Sequence, residues 1–234
     1  MQSGRLFFET YVRDLEAPLV VDVGSVDING SLASVAPPSC RYVGLDFAAG
    51  KGVDVLIEDP YVLPLESGSV DVIVSSSCFE HSEMFWVLFL EILRVLKPSG
   101  LLYVSAPSNG YFHRHPVDCW RFYPDAGRAL VTWAKRNGLE PALLESFVSS
   151  QSAEDWSDFV AVFVKDASFA PQYPRRIVDS TPGFANATLL GRPELLNFEP
   201  LTEDQSLLRL TLAYRLKRAA RRVREMLSVV GRRR

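Results

Sequence analysis

The sequence predicts an α/β fold: a doubly wound, seven-stranded, mainly parallel sheet ending in an antiparallel hairpin. Three observations carry that expectation. Runs such as LVVDVG, RYVGLDF and SVDVIVSSS are short, rich in β-branched residues and bounded by turn formers, as buried strands are. Longer segments with helical spacing, EMFWVLFLEILRVLK and YPDAGRALVTWAKRNG, alternate with them, which places crossover helices between parallel strands. The last two apolar runs, EPALLESFVSS and SDFVAVFVKD, follow one another with no helix between, which predicts the hairpin.

In chain order, residues 5–16 read as a short leading helix, with Leu6, Phe7, Tyr11 and Leu15 at helical spacing. The first strand, LVVDVG, is bounded by Pro18 and Gly24, and the second ends at Asp46. GVDVLI is the third strand and SVDVIVSSS the fourth. The following helix is stopped by Pro98 and Gly100. LLYVSAP is the fifth strand, and the next helix stops at Gly138. These elements make one domain of residues 1–165. Residues 166–202, rich in Pro, Gly, Asn and Ser, read as an irregular connector. Residues 203–234 read as a basic amphipathic C-terminal helix and tail.

Composition narrows the class. Apolar residues make up 47% of the 234 residues, enough for a substantial core. Cys40, Cys78 and Cys119 are widely spaced and odd in number, which argues against a disulfide framework or a cysteine-built zinc site. The segment MQSGRLFFETYVRDLE lacks the apolar core of a signal peptide, and Glu91 and Arg94 interrupt the most apolar run. A soluble protein of the reducing cytoplasm is expected. From Gln205 to Arg234 there are ten Lys or Arg and one acid, a charge of +9; with a total of −3, the remainder carries −12.

Ligands of open parallel sheets sit beyond the carboxyl ends of the strands. The first strand end offers Asp22, Gly24 and Ser25, and the second offers Asp46, an acid about 20 residues beyond the turn and suited to ribose hydroxyls. EDPYVLP follows the third strand, with Asp59 able to accept from an adenine amino group, and SSSCFEH follows the fourth. G-x-G-x-x-G is absent, which disfavours a nicotinamide-dependent enzyme.

At these residues the chain resembles the class I S-adenosylmethionine-dependent methyltransferases of the broad type 11 group. The resemblance covers residues 18–165 and is most specific from Leu63 to Pro107: LP, then S-x-D-x-I, then E-H, then RVLKP-x-G. It implies the Rossmann-like methyltransferase fold and S-adenosyl-L-methionine as cofactor. It also implies that Asp22 and Gly24 face the methionine part, Asp46 the ribose, and Phe47 and Asp59 the adenine. Ser76 and Ser77 would lie near the sulfonium. The later HRHPVDCWRFYP resembles a subgroup linked to polysaccharide or secondary-metabolite modification, which implies a small-molecule or glycan acceptor.

The sequence departs from the family in two places. Val26 and Ile28 stand where loop glycines are usual, and Pro60 removes an N–H beside Asp59. S-adenosylmethionine has no phosphates, so a phosphate cradle is not required. Ser25, Asp27 and the Asn29-Gly30 turn are the substitutes on offer. Asp27 either accepts from the cofactor's amino group or caps the next turn.

Methyl transfer is a displacement in which positioning does much of the work, and an oxygen acceptor profits from a base near neutrality. The three histidines, His81, His113 and His115, all follow the fourth or fifth strand. His115 is the first candidate base, with Asp118 as a possible orienting carboxylate, and His81 is the second. His113 and Arg121 are candidates for holding the acceptor. The alternative pairs Asp118 with Arg121 to fix the loop, with Trp120 and Phe122 in the core. H-x-H plus Asp118 can be drawn as a ligand set, but the pattern is weak and no metal is expected.

Two surfaces suggest partners. Phe85, Trp86 and Phe89 would form a homodimer stripe if exposed. Leu208, Leu212, Leu216, Ala219, Val223 and Leu227 fall near one helical face among arginines. That helix can dock on the acidic body or lie on an anionic membrane as a peripheral contact. Specific nucleic-acid recognition is the weakest option. A non-catalytic S-adenosylmethionine- or nucleoside-binding protein on the same fold stays open as the alternative.

Overall fold

The computed structural model describes residues 1–28, 30–150, 157–181, 183–206, 208, 211–212 and 216. Its strands are β1 (Leu19–Val23), β2 (Arg41–Asp46), β3 (Val55–Leu56), β4 (Val70–Ser76), β5 (Leu96–Pro107), β6 (Ala142–Ser149), β7 (Asp158–Val164) and β8 (Phe184–Leu189). They form one sheet in the order β3-β2-β1-β4-β5-β7-β6-β8. The first five run parallel to one another, whereas β7 runs antiparallel to both β5 and β6. The parallel sheet and terminal hairpin therefore stand as expected.

Alternation along the strands divides the core between the two faces of the sheet. Val21, Val23, Ile73, Phe159, Ala161 and Phe163 face α2 (Phe85–Val95) and α3 (Ala126–Arg136). Val20, Val72, Val74, Val160, Val162 and Val164 share the other cluster with Phe7, Phe8, Tyr11 and Leu32. This second face is covered by short pieces: α1 (Gln2–Phe7), a π turn at Phe8–Val12, and 3-10 turns at Leu32–Val35, Ala167–Gln172 and Ile177–Asp179. The expected leading helix of residues 5–16 is thus a shorter α-helix that widens into the π turn.

Two further expectations are corrected. The sheet has eight strands, because β8 pairs antiparallel with β6 inside the segment read as an irregular connector. FANATL alternates only briefly, with small residues and no β-branched run, inside a segment rich in Pro, Gly and Asn; pairing with β6, whose edge would otherwise be bare, decides its conformation. Phe89 is fully buried, its ring 5.1 Å from that of Phe163, so it contributes to the core and not to an exposed stripe. Phe85 and Trp86 instead line an apolar groove of about 330 Å³ with Ala126, Leu130 and Trp133.

The motif residues between Leu63 and Pro107 are largely scaffold. Glu91 accepts from Leu63 N–H at 2.8 Å and pairs with Arg94, whose guanidinium donates to the carbonyls of Leu63 and Leu65. Helix α2 thereby holds the LP loop. Asp71 on β4 accepts from Leu19 N–H and pairs with Lys97 at 2.7 Å, fastening the start of β1 and the start of β5 to β4.

The described residues from Glu199 onward belong to a second unit. Positions 203–206, 208, 211, 212 and 216 are helical, and Leu208, Leu212 and Leu216 are exposed. The rest of the expected C-terminal helix, including Ala219, Val223 and Leu227, lies outside the described residues. Among those described, no helix is long and apolar enough to cross a membrane.

One buried acid ties the second face together. Glu145 on β6 is 0% exposed; it accepts from Tyr11 Oη–H at 2.6 Å and from the N–H groups of Ile177 and Val178 at 2.6 and 3.2 Å. Burial raises its pKa, and the three donors oppose that rise. Truncation leaves a tyrosine hydroxyl and two amides unpaired in the core. Glu145→Ala is expected to lower unfolding free energy by about 3 kcal/mol and Glu145→Gln by less, measured by urea denaturation. Equal midpoints for wild type and Glu145→Ala would contradict this role.

Candidate active site

The turn after β1 is built by close approach to its neighbours. Gly24 has φ +85°, and a Cβ there would lie 2.5 Å from Cys78 Cβ, so only glycine fits. The N–H groups of Gly24 and Ser25 both donate to Leu45 O on β2. Ser25 Oγ is buried with no hydrogen-bond partner among the described residues. It would lie 2.7 Å from a Cβ on Gly44, and Ser25 O 2.8 Å from one on Gly52. A Cβ on Gly50 would be 3.1 Å from Val26 Cγ1. The glycines missing at Val26 and Ile28 are therefore answered on the facing segment, where Gly44, Gly50 and Gly52 make room for side chains. Asp27 closes the turn: it accepts from Gly30 N–H at 2.9 Å and pairs with Lys51 at 2.6 Å. Asn29 lies outside the described residues.

The strand ends gather the expected acids. Asp22 is buried beside Gly44, its partner across β2, and accepts from Tyr42 Oη–H at 2.7 Å. Burial raises its pKa to about 6, and the nearby Asp46 carboxylate adds to the rise. Asp46 Oδ2 accepts from Val26 N–H at 3.1 Å and Oδ1 from Ala48 N–H at 2.9 Å. Each oxygen retains acceptor capacity. Asp59 is exposed and accepts from Tyr61 N–H. Ile28, Phe47, Leu56 and Val62, which follow or end β1, β2 and β3, are all exposed apolar residues along the same edge. Ser76 ends β4, and Ser77 adopts φ +52°, a strained angle for a side chain with Cβ.

The segment leaving β4 meets the loop of residues 107–123. Cys119 and Trp120 donate their N–H groups to Glu80 O, and Trp120 Nε1–H donates to Ser82 O at 2.9 Å. This pinning gathers all three histidines: ring centroids lie 4.9 Å apart for His81–His113, 6.1 Å for His81–His115 and 6.2 Å for His113–His115. His81 Nδ1 bonds to Val117 O. Burial lowers the His81 pKa. His115 is exposed. Glu80 is 1% exposed, and burial pushes its pKa to about 8.

Asp118 does not orient His115; it faces His113 and Arg121. It accepts from His113 N–H at 2.7 Å, and its Oδ2 lies 3.4 Å from His113 Nδ1. Arg121 grips both Asp118 oxygens, at 2.6 and 2.9 Å, and also donates to Tyr111 O. The guanidinium holds the Asp118 pKa down to about 2. Asp118 and Arg121 thus fix the loop, as the alternative reading had it. Of the two aromatic residues given to the core, Phe122 is buried and Trp120 is exposed. Gly110, Phe112, Asp118, Cys119, Trp120 and Arg121 line an open pocket of about 240 Å³. Tyr111, Phe112 and Tyr123 stand exposed around it.

Four contributors escaped the sequence reading: Gly44, Gly52, Cys78 and Glu80. Only Glu80 had a visible signal, as the acid in E-H. The Gly44 requirement is directly testable, since a methyl there would sit 1.9 Å from Gly52 O, a backbone atom. Gly44→Ala is expected to cost about 3 kcal/mol or more in urea denaturation. An unchanged midpoint would contradict the close approach.

Comparison with known proteins agrees with this arrangement. Residues 10–104 match the family model described as a methyltransferase domain, Methyltransf_11. An uncharacterized methyltransferase of Mycobacteroides abscessus is 32% identical over 144 residues, covering 54% of each chain. One from Mycobacterium leprae is 29% identical over 150 residues, covering 58% of this chain and 54% of its own. The chain spans about half the length of the curated relatives it matches. Among solved structures, the Burkholderia thailandensis 1,6-didemethyltoxoflavin-N1-methyltransferase superposes with TM-score 0.53 at 13% identity, over 70% of this chain and 76% of that one. The [4+2]-cyclase SpnF superposes with TM-score 0.52 at 16% identity, over 70% and 81%. At such identities the superpositions show the fold alone. Domain match, relatives and fold together make this chain similar to the class I S-adenosylmethionine-dependent methyltransferases.

Proposed function

We propose that the chain transfers a methyl group from S-adenosylmethionine to an oxygen of a small-molecule or glycan acceptor held beside residues 107–123. The observation that carries this reading is the clustering of all three histidines around His81, whose N–H donates to the carbonyl of Cys78, the residue packed on Gly24 of the cofactor turn. When bound, S-adenosylmethionine supplies an electrophilic methyl on a sulfonium.

The residues present suit that cofactor. Asp46 has acceptor capacity left for ribose hydroxyls, and Asp22 offers a carboxylate to the methionine ammonium. Phe47 gives the adenine an apolar face, Asp59 accepts from its amino group, and Ser76 and Ser77 border the sulfonium. Gly24 admits the close backbone approach, and Ser25 supports the turn from behind. Asp27 is spent on Gly30 and Lys51 and is left out of the cofactor contacts.

His115, exposed on the rim, takes the acceptor's proton; His81 is the second candidate. His113 meets the acceptor, while Asp118 and Arg121 position the loop. The exposed rings of Tyr111, Phe112 and Tyr123 suit the flat faces of a sugar or heterocycle. The Burkholderia fold relative was solved with bound 1,6-didemethyltoxoflavin and S-adenosylhomocysteine, which supports a small acceptor here. A cytoplasmic setting is proposed with it, whereas homodimerisation and membrane contact gain no support from the described residues.

The second reading is a non-catalytic S-adenosylmethionine- or nucleoside-binding protein. Val26 and Ile28 in the cofactor turn favour it, and the cyclase on this fold shows that the fold does not dictate methyl transfer.

Calorimetry with S-adenosylmethionine and S-adenosylhomocysteine separates these readings. Saturable binding is expected, and none at millimolar ligand overturns both. Binding with no turnover across oxygen acceptors favours the second. Asp22 adds a pH signature: it is ionised above about pH 6, and the ligand ammonium prefers the ionised form. Affinity should therefore fall as pH drops through about 6; a flat profile from pH 5 to 8 removes Asp22 from the site. His115→Ala should lower turnover about 100-fold with the S-adenosylhomocysteine Kd unchanged. Equal loss of both would exclude it as the base.

A further inference from the structure

We propose that Glu80, His81 and His113 form a binding site for a divalent transition cation of the zinc class, set into the rim beyond the carboxyl end of β4. One donor atom from each residue lies within 4.8 Å of the other two, and Glu80 Oε1 is 3.8 Å from His81 Nε2. The set differs from the one drawn from the H-x-H pattern, and it departs from the expectation of no metal.

The independent sign is Glu80 itself. Its side chain is 1% exposed, yet Oε2 has no hydrogen-bond partner among the described residues. A buried carboxylate oxygen with nothing to accept from is disfavoured, and a coordinated cation removes that penalty. Its backbone carbonyl, by contrast, is doubly bonded to the N–H groups of Cys119 and Trp120, which fixes the residue on the loop.

Both imidazoles are oriented from behind by oxygens of neighbouring residues. Val117 O binds His81 Nδ1, which selects the tautomer with the lone pair on Nε2, the atom that faces Glu80. Asp118 accepts from His113 N–H and stands 3.4 Å from its Nδ1, while Arg121 locks Asp118 in place. Oxygen-backed imidazoles are the usual support of metal-binding histidines. Two imidazoles and one carboxylate suit zinc, whereas magnesium and calcium prefer sets made of oxygen. Zinc bonds of about 2.0–2.2 Å require the donor atoms to lie little over 3 Å apart, so Glu80 and His81 would close by roughly half an ångström.

Three protein ligands leave coordination positions open. There the cation would hold the acceptor oxygen and favour its deprotonation, with the His115 ring about 6 Å from both ligand rings. This role rests on the methyl-transfer reading; the binding site does not.

The test is a titration of chelator-treated full-length protein with Zn²⁺ by calorimetry and with Co²⁺ by visible absorption, both without cofactor. One equivalent is expected, with the intense visible bands of low-coordinate Co²⁺. His81→Ala, His113→Ala and Glu80→Gln should each weaken binding at least tenfold while circular dichroism shows a retained fold. His115→Ala should leave Zn²⁺ affinity within twofold. Absence of binding at millimolar metal overturns the site, as does Glu80→Gln with unchanged affinity. Loss of binding in His115→Ala would move the site to the H-x-H pair and overturn this assignment. Zinc bound with no methyl transfer to any acceptor would leave the site standing and remove the functional reading. Full turnover by the metal-free protein would remove the cation's role in catalysis.

Discussion

The arrangement depends on a contact with no room for a methyl group. Gly24, at φ +85°, lies so close to Cys78 that a Cβ would fall 2.5 Å from the cysteine's own. Two strand-exit turns are thereby pressed together: one carries Asp22 and leads to the residues supporting Asp46, and the other leads through Phe79 to Glu80 and His81. Burial, and then the carboxylates of Glu80, Asp46 and Asp22, push the Cys78 thiol up to about 12, so it is a neutral packing group at ordinary pH. Its neighbours mark it as the point between the acids of the cofactor edge and the histidine rim. Without that contact the two would be separate features of one sheet edge.

The same economy of space explains the unusual turn. In a loop that approaches its ligand through glycines, the backbone itself is bare. Here Ser25 and Val26 keep their side chains, and the opposite wall gives way at Gly44, Gly50 and Gly52. The turn is held by amides donating to Leu45 O and to Asp46 Oδ2. Asp46 therefore supports the turn while its two oxygens and their several lone pairs keep capacity for the ribose contact proposed above.

Much of this was legible beforehand. The β-branched runs gave seven of the eight strands because buried parallel strands need little beyond apolar residues and turn formers at their ends. Asp22, Asp46 and E-H were legible because they sit at strand ends, where the fold class determines what a side chain can face. β8 was not, since FANATL becomes a strand only through the open edge of β6. The glycines of the opposite wall were not, since their need arises across loops and leaves no local pattern. The loop of residues 107–123 was half legible. Asp118 was expected beside His115 or Arg121, but the backbone brings it to His113, five residues earlier, and the Arg121 clamp holds it there. Phe89 was a candidate for an exposed stripe because its helix is apolar on more than one face, and only packing against Phe163 shows which face is inside.

The central claim is that the cofactor edge and the histidine cluster are one site. With three histidines in the chain, their imidazole resonances can be followed individually by two-bond ¹H–¹⁵N correlation while S-adenosylhomocysteine is titrated in. Saturable shifts of the His81 and His113 resonances, tracking the calorimetric occupancy, are the predicted result. Full occupancy with all three histidines unmoved would contradict the claim, separating the cofactor site from the rim proposed to carry the chemistry.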